Sequence, residues 1–189
     1  MDKVAISEVA SFTVGEESTR RRLTEHLGTT DISLNHYQLA PGDGLPGGLH
    51  SHMDQEEVFV VLDGTATFET MGGEVTVDEF EAIRFGPGEF QSGENTSDSD
   101  LIVLALGAPR ETGDIRIPVP CPDCNHETLR LDSGDELTFI CPDCSVEYIP
   151  QNCLNCGHDD LRVTLGEETQ TVVVCQNCET TFDQPPLQD

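Results

Sequence analysis

GLPGGLHSHMDQEEVFVVLDG, residues 44–64, decides how the first half of this chain reads. Its apolar run Val58-Phe59-Val60-Val61-Leu62 reads as a nearly continuous buried strand. Asp63-Gly64, which ends it, is the commonest two-residue hairpin signal. Upstream, one residue separates His50 from His52 on an extended segment, so the period-two geometry of a strand sends both imidazoles to one side. Glu56 and Glu57 lead into the strand, and because adjacent strand residues face opposite ways, only one carboxylate shares the imidazoles' side. Two imidazoles and a carboxylate facing one cavity suit a divalent transition metal.

The flanking sequence continues in the same manner. Ile32 to Leu39 alternates in part, Ala40 to Gly44 turns the chain, and Thr65 to Thr70 puts Ala66 and Phe68 on one face. Met71-Gly72-Gly73-Glu74 turns again. Val75 and Val77 then share a face, as do Ile83 and Phe85, Gly86-Pro87-Gly88 breaks the chain, and Leu101 to Leu106 reads as a last buried strand. Many short strands with closely spaced glycine turns indicate a sandwich or barrel. Tyr37, Phe59, Phe68, Phe85 and Phe90 read mainly as core, with Phe90 also placed to rim a pocket mouth beside Gln91. A short helix is expected near Ser18 to Leu27, where Arg20, Arg21 and Arg22 read as a solvated face or as partners for the acidic majority.

Gly44, His50, His52, Glu57 and Gly64, at their spacing, resemble the first motif of the cupin superfamily, and Gly86-Pro87-Gly88 with Gln91 and Asn95 stands where the second motif falls. The resemblance covers roughly residues 30 to 108. It implies a double-stranded β-helix, a jelly-roll barrel, holding Fe, Mn, Ni, Zn or Cu on His50, His52 and Glu57, with Gln91 where the family has a third histidine. Spacing to Gly64 then favours Glu57 over Glu56. An amide oxygen is a weaker donor than imidazole. Gln91 is accordingly open to three readings: direct ligand, holder of a metal-bound water, or mark of a pocket without metal.

The first 118 residues contain no cysteine, and all eight cysteines fall between Cys121 and Cys178. Ile117-Pro118-Val119-Pro120 reads as a stiff joint at that boundary. The cysteines form four C-x2-C pairs: Cys121/Cys124, Cys141/Cys144, Cys153/Cys156 and Cys175/Cys178. Such a loop bends two thiolates onto one ion, and two loops complete a tetrahedron. Each half reads as pair, strand, turn, strand, pair, with turns at Asp132-Ser133-Gly134-Asp135 and Gly166-Glu167-Glu168. That pattern resembles a zinc ribbon, with Cys121, Cys124, Cys141 and Cys144 on one zinc and Cys153, Cys156, Cys175 and Cys178 on the other. Pairing across the short middle gap is the alternative. His126 and His158 follow their loops and read as surface or supporting residues.

The chain carries 36 acidic and 9 basic side chains, a net charge of -27. A nucleic-acid binder needs a basic surface to displace counterions, and an anionic membrane would repel this chain. The acids are spread over both regions, while hydrophobic residues still make up 36%, enough for a core. Lys3 is the only lysine. The balance resembles that of salt-adapted proteins of halophilic archaea, whose surface charges are screened within about 3 Å near 1 M salt. No run of 18 apolar residues is present, and the N-terminus carries no secretory pattern, so a soluble cytoplasmic protein is expected.

The expected architecture is therefore all-β: a cupin-like barrel domain over 1–118 with an N-terminal extension, a first zinc ribbon over 119–148 and a second over 149–189. The expected function is a metal-binding cupin of unassigned activity with a ribbon tail for protein contact. The alternatives are a metal-dependent oxygenase or isomerase acting on a small polar metabolite, and a non-catalytic small-ligand sensor or assembly element. No nucleophile elbow, phosphate-cradling loop or cysteine near the histidines completes a catalytic set, so whether the chain is an enzyme stays open. Expected cofactors are two structural zincs, each on four cysteines, and one divalent metal (Zn, Fe, Mn or Ni). Expected partners are a second copy in a homodimer, a small-molecule ligand and a protein met through the ribbons.

Overall fold

The computed structural model of the chain describes residues 1–15, 17–134, 136–166 and 170–188. Asp135 and Glu167-Glu168, expected at the tips of the two cysteine hairpins, lie outside the described residues. In chain order the strands are β1 (Ser11–Thr13), β2 (Thr19–Arg22), β3 (Ser33–Leu39), β4 (Ser51–His52), β5 (Glu56–Asp63) and β6 (Ala66–Thr70). They continue with β7 (Gly73–Val77), β8 (Ala82–Phe85), β9 (Gln91–Glu94), β10 (Leu101–Ala108) and β11 (Ile115–Ile117). The cysteine region adds β12 (Leu129–Ser133), β13 (Leu137–Ile140), β14 (Glu147–Pro150), β15 (Leu161–Leu165), β16 (Thr171–Cys175), β17 (Thr181–Phe182) and β18 (Leu187–Gln188).

Alternation decides which faces are buried. Along β10, Leu101, Val103, Ala105 and Gly107 are buried and their neighbours half-buried, and on β5 Phe59 and Val61 point the same way. β10 lies between β3 and β5 in a six-stranded sheet of order β1-β2-β3-β10-β5-β8. Its buried face meets Ala66, Phe68 and Val77 of the three-stranded sheet β7-β6-β9, and Phe59, Phe68 and Phe85 form a cluster of tilted rings between them. A second core gathers Ile117, Val119, Leu129, Phe139 and Tyr148 around Cys121 and Cys141.

The expected double-stranded β-helix, a jelly-roll barrel followed by two small zinc-ribbon units, is not the architecture found. The chain is all-β, but its strands divide among four sheets of six, six, three and three strands, a four-bladed propeller arrangement in place of a closed barrel. Strand partnership is the physical reason. β4 pairs with β11 and β11 with β12, so the histidine-bearing strand is hydrogen-bonded into the sheet of the first cysteine hairpin, β18-β14-β13-β12-β11-β4. The expected function, a metal-binding cupin with a ribbon tail, presupposed an ion enclosed by a barrel. It falls with that architecture, as do the oxygenase-or-isomerase and the sensor-or-assembly alternatives.

The expected helix near Ser18 to Leu27 is also shorter than anticipated. Thr19–Arg22 is extended as β2, and only Leu23–Leu27 is helical (α1), closed by Gly28 at φ 65°. Pairing with β3 holds the arginines straight. Arg20 donates from Nε to Asn35 Oδ1 at 2.9 Å and covers the Tyr37 ring, while Arg22 covers Phe12.

Candidate metal centre

Three elements deliver the donors. His52 lies on β4, His50 immediately before it, and Glu57 on β5. His50 forms an isolated antiparallel bridge with Gln91 at the start of β9, through N–H···O=C bonds of 3.1 and 2.9 Å in the two directions. One ligand atom each from His50, His52 and Glu57 falls within a 4.8 Å circle of mutual distances. The ring centroids of the two histidines are 5.1 Å apart, edge to face. Gly47, at φ 113°, precedes them where a Cβ would sit 3.1 Å from the His50 ring, so backbone conformation and space both require glycine there.

Outer contacts orient the imidazoles. His50 Nδ1–H donates to the Gly48 carbonyl at 2.8 Å, which leaves Nε2 with its lone pair. His52 Nδ1 lies 3.2 Å from Thr112 Oγ1, and that hydroxyl gives its own proton to Asp54 Oδ1 at 2.6 Å. Thr112 is therefore an acceptor toward His52, Nδ1 carries the proton, and Nε2, 3.5 Å from Glu57 Oε2, is free to bind. Both rings are held in the tautomer that metal ligation needs. Neither Thr112 nor Asp54 is singled out by its sequence neighbourhood. Thr112 is remote from His52 along the chain, and no residue pattern announces the contact.

Burial makes the cluster costly without a cation. It pushes Glu57 up to about 7, against which a hydrogen bond from Gln91 acts. It lowers His50, and lowers His52 to about 4, with His50 beside it contributing. Gln91 is 3% exposed and donates from Nε2 to Glu57 Oε2 at 3.0 Å, while its Oε1 is buried without a hydrogen-bond partner among the described residues. An orphaned amide oxygen with two imidazole lone pairs and a carboxylate is a set of acceptors that suits a cation. The donor set fits a divalent transition metal. The adjoining cavity is about 60 Å³ and is lined in part by Asn35, Tyr37, Leu45, Phe59 and Ala105.

The structure also draws the cysteines into two groups, Cys121/Cys124/Cys141/Cys144 and Cys153/Cys156/Cys175/Cys178. Sulfurs lie 3.7 Å apart between Cys121 and Cys144 and 3.5 Å between Cys124 and Cys141. In the second group the pairs Cys153–Cys178 and Cys156–Cys175 are 3.7 and 3.6 Å apart. A tetrahedron with metal–sulfur bonds of about 2.3 Å has edges of about 3.8 Å, so both groups have the dimensions of a four-thiolate ion site. All four loops share one backbone pattern: the first cysteine's N–H donates five residues ahead, and the N–H of the fourth residue on returns to its carbonyl. That fourth residue, Asn125, Ser145, Gly157 or Glu179, is left-handed in every case. The carbonyls of His126 and His158 accept from Cys121 and Cys153, and their Nδ1 atoms accept from the Thr128 and Asp160 N–H groups, each at 3.2 Å. Tyr148 places its hydroxyl 3.3 Å from Cys121 Sγ and donates to Asp123, a support that the cysteine spacing did not reveal.

No described helix is long and apolar enough to cross a membrane. Comparison with known proteins places a cupin domain family over residues 35–107. No curated protein matches the chain. Among solved structures, a sugar phosphate isomerase from a cupin superfamily, from Silicibacter pomeroyi, is 19% identical with a TM-score of 0.58, covering 76% of this chain and 94% of that one. The polyketide cyclase RemF from Streptomyces resistomycificus is 24% identical with a TM-score of 0.54, covering 65% and 89%. A predicted oxalate decarboxylase from Thermotoga maritima is 24% identical at 0.51, covering 57% and 98%. At these identities the likeness is one of strand arrangement and carries no activity. Residues 35–107 thus match a cupin domain family, in a chain that also carries two four-cysteine clusters with the make-up of zinc-binding motifs.

Proposed function

We propose that this chain is a metalloprotein with three ion positions, one reactive and two structural. The reactive one is His50, His52 and Glu57, with Gln91 completing the inner face through Oε1. The structural ones are the two four-cysteine groups, holding zinc. The orphaned Oε1 of Gln91 beside three convergent donors carries the reading. Four thiolates close a coordination sphere, whereas two imidazoles and a carboxylate leave positions open for water or a small ligand. A divalent ion there (Zn, Fe, Mn or Ni) supplies Lewis-acid polarisation of a bound oxygen.

The chain's own groups define what is admitted. Ligand pockets for metabolites run to about 300 Å³ and above, against about 60 Å³ here, so a sugar phosphate does not fit wholly within this cavity. Leu45, Phe59 and Ala105 wall it with apolar surface, and Tyr37 keeps its phenolic proton because burial raises it, so it serves as a donor to a small oxygen-bearing ligand. Eight unpaired thiols agree with a reducing, cytoplasmic setting. The half-buried apolar face of Val58, Val60, Leu104 and Leu106, outward on the first six-stranded sheet, supports a homodimer. Salt adaptation of the -27 surface belongs to the same reading.

Elemental analysis of the full chain tests it. Three ions per chain are expected, at least two of them zinc, falling to two in His50→Ala with the zincs retained. Two ions in the unaltered chain after incubation with Zn²⁺, Fe²⁺, Mn²⁺ and Ni²⁺ in turn would overturn it.

A further inference from the structure

The second cysteine unit reaches across to the residues that frame His50. Leu49, next to His50 in the chain, donates its N–H to the Val163 carbonyl at 2.8 Å. The approach is close enough that a Cβ on Gly48 would lie 3.0 Å from that same oxygen, with Gly48 at φ 61°. Val163 lies on β15, which pairs with β16 from Leu165↔Thr171 to Leu161↔Cys175, and Cys175 belongs to the second four-cysteine group. β15 is thus a lever fixed at one end by the sulfur cluster and resting at its middle on the backbone before His50.

Glu69 pins the far end. On β6 it lies opposite Ser92, one place from the Thr70↔Gln91 pair, so it shares a ladder with the strand that carries Gln91. Its carboxylate accepts from Thr164 Oγ1 at 2.8 and 3.0 Å and from the Leu165 N–H at 2.9 Å. In a chain with a fourfold excess of acids over bases, this carboxylate is spent on two residues of β15. Without it, β15 loses its anchor on β6, and the Val163 carbonyl loses the fixed position from which it holds Leu49.

We infer that Glu69 is a positioning residue for the His50/His52/Glu57 centre, acting through β15 so that the second four-cysteine unit sets the geometry in which His50 meets Gln91. The inference rests on the metal-centre reading above. It makes ion affinity at the histidines depend on a carboxylate that touches none of the ligands. It also makes that affinity depend on the integrity of Cys153, Cys156, Cys175 and Cys178.

Full-length chain carrying two Zn²⁺ is titrated with Co²⁺, which does not displace zinc from thiolates and absorbs in the visible when bound. In the unaltered chain a third ion should bind without a thiolate-to-cobalt charge-transfer band. Glu69→Ala should weaken that binding by about ten-fold or more, the scale of losing an outer support of a metal ligand, while both zincs stay. Glu69→Gln, whose amide oxygen still accepts from β15, should remain within about three-fold of the unaltered chain. Should Glu69→Ala shed zinc, Thr164→Val, which removes only the hydroxyl bond, decides by showing a smaller loss in the same direction. Unaltered cobalt affinity in Glu69→Ala or, in that case, in Thr164→Val overturns the inference alone. A parent chain that binds no third ion overturns the metal-centre reading and this inference together.

Discussion

Gln91 and Glu57 share one hydrogen bond, Nε2 to Oε2 at 3.0 Å, and the oxygen of the same amide has no hydrogen-bond partner among the described residues. One polar end is used to steady a ligand while the other waits in a buried space. Replacing the amide with imidazole should convert a weak donor into a strong one. Gln91→His is expected to tighten binding of Zn²⁺ or Ni²⁺ by about ten-fold or more, in line with the weight of such changes around metal sites. Isothermal titration of the two proteins checks it, and equal affinities would remove Gln91 from the inner face.

Thr112 is the hinge of a relay from Asp54 to His52. Thr112→Val keeps the shape and removes both hydrogen bonds. Ion affinity at the histidines should fall about 10- to 100-fold, with two zincs retained, as read by competition with a chelator dye. A change of less than about two-fold would mean that the His52 tautomer is set elsewhere.

The acid excess should show itself as a salt requirement. Screening shortens the reach of surface repulsion from about 10 Å at 0.1 M to about 3 Å at 1 M. The melting temperature is expected to rise from dilute buffer to several molar KCl. A flat or falling curve would count against salt adaptation.

His36 offers a pH test away from the metal centre. It stands opposite Arg21 across β2 and β3, and its affinity for a proton is lowered, first by burial and then by the Arg21 charge. A lowered value in the folded chain means that folding favours the neutral ring. Its contribution is therefore whole above about pH 6.5 and lost as pH falls through the folded value. The parent chain should lose more melting temperature than His36→Gln between about pH 7 and pH 5, and parallel curves would show that His36 carries none of the loss.

The chain contains two tyrosines and no tryptophan, so its emission reports Tyr37 and Tyr148 alone. Tyr148 is buried against Cys121 and bonded to Asp123. Stripping zinc from the first four-cysteine group should alter emission in the parent chain, and the change should be largely absent in Tyr148→Phe. An equal change in both would locate the signal at Tyr37.

Local signals carried much of this. The strand over Val58 to Leu62 and the C-x2-C loops are legible because each is a property of a few adjacent residues, whereas Asp63-Gly64 closes no hairpin, since β5 and β6 lie in different sheets. The clustering of His50, His52 and Glu57 is legible for a similar reason, since a period of two and a short connection bring them together. Partnership between distant strands is not written that way. Nothing in Ser51-His52 says that it will pair with Ile115-Arg116 and join the first cysteine hairpin, and that pairing is what separates four sheets from a closed barrel. Arg20 to Arg22 illustrate a further limit: three residues of good helix propensity became extended because β3 offered them a ladder and an aromatic ring.

Of the four residues that close the cysteine loops, only Gly157 sits in the left-handed region free of crowding at Cβ; Asn125, Ser145 and Glu179 hold it at φ 60°, 61° and 57°. An ordinary side chain adopts that twist at a cost of about 1–2 kcal/mol, somewhat less for asparagine. Three of the loops are thus wound springs, held by two backbone hydrogen bonds each and by whatever grips their sulfurs. A newly made chain would not present finished cages to passing ions; capture and closure would come as a single event. Glycine at Glu179 would slacken one spring and leave its loop shaped in advance.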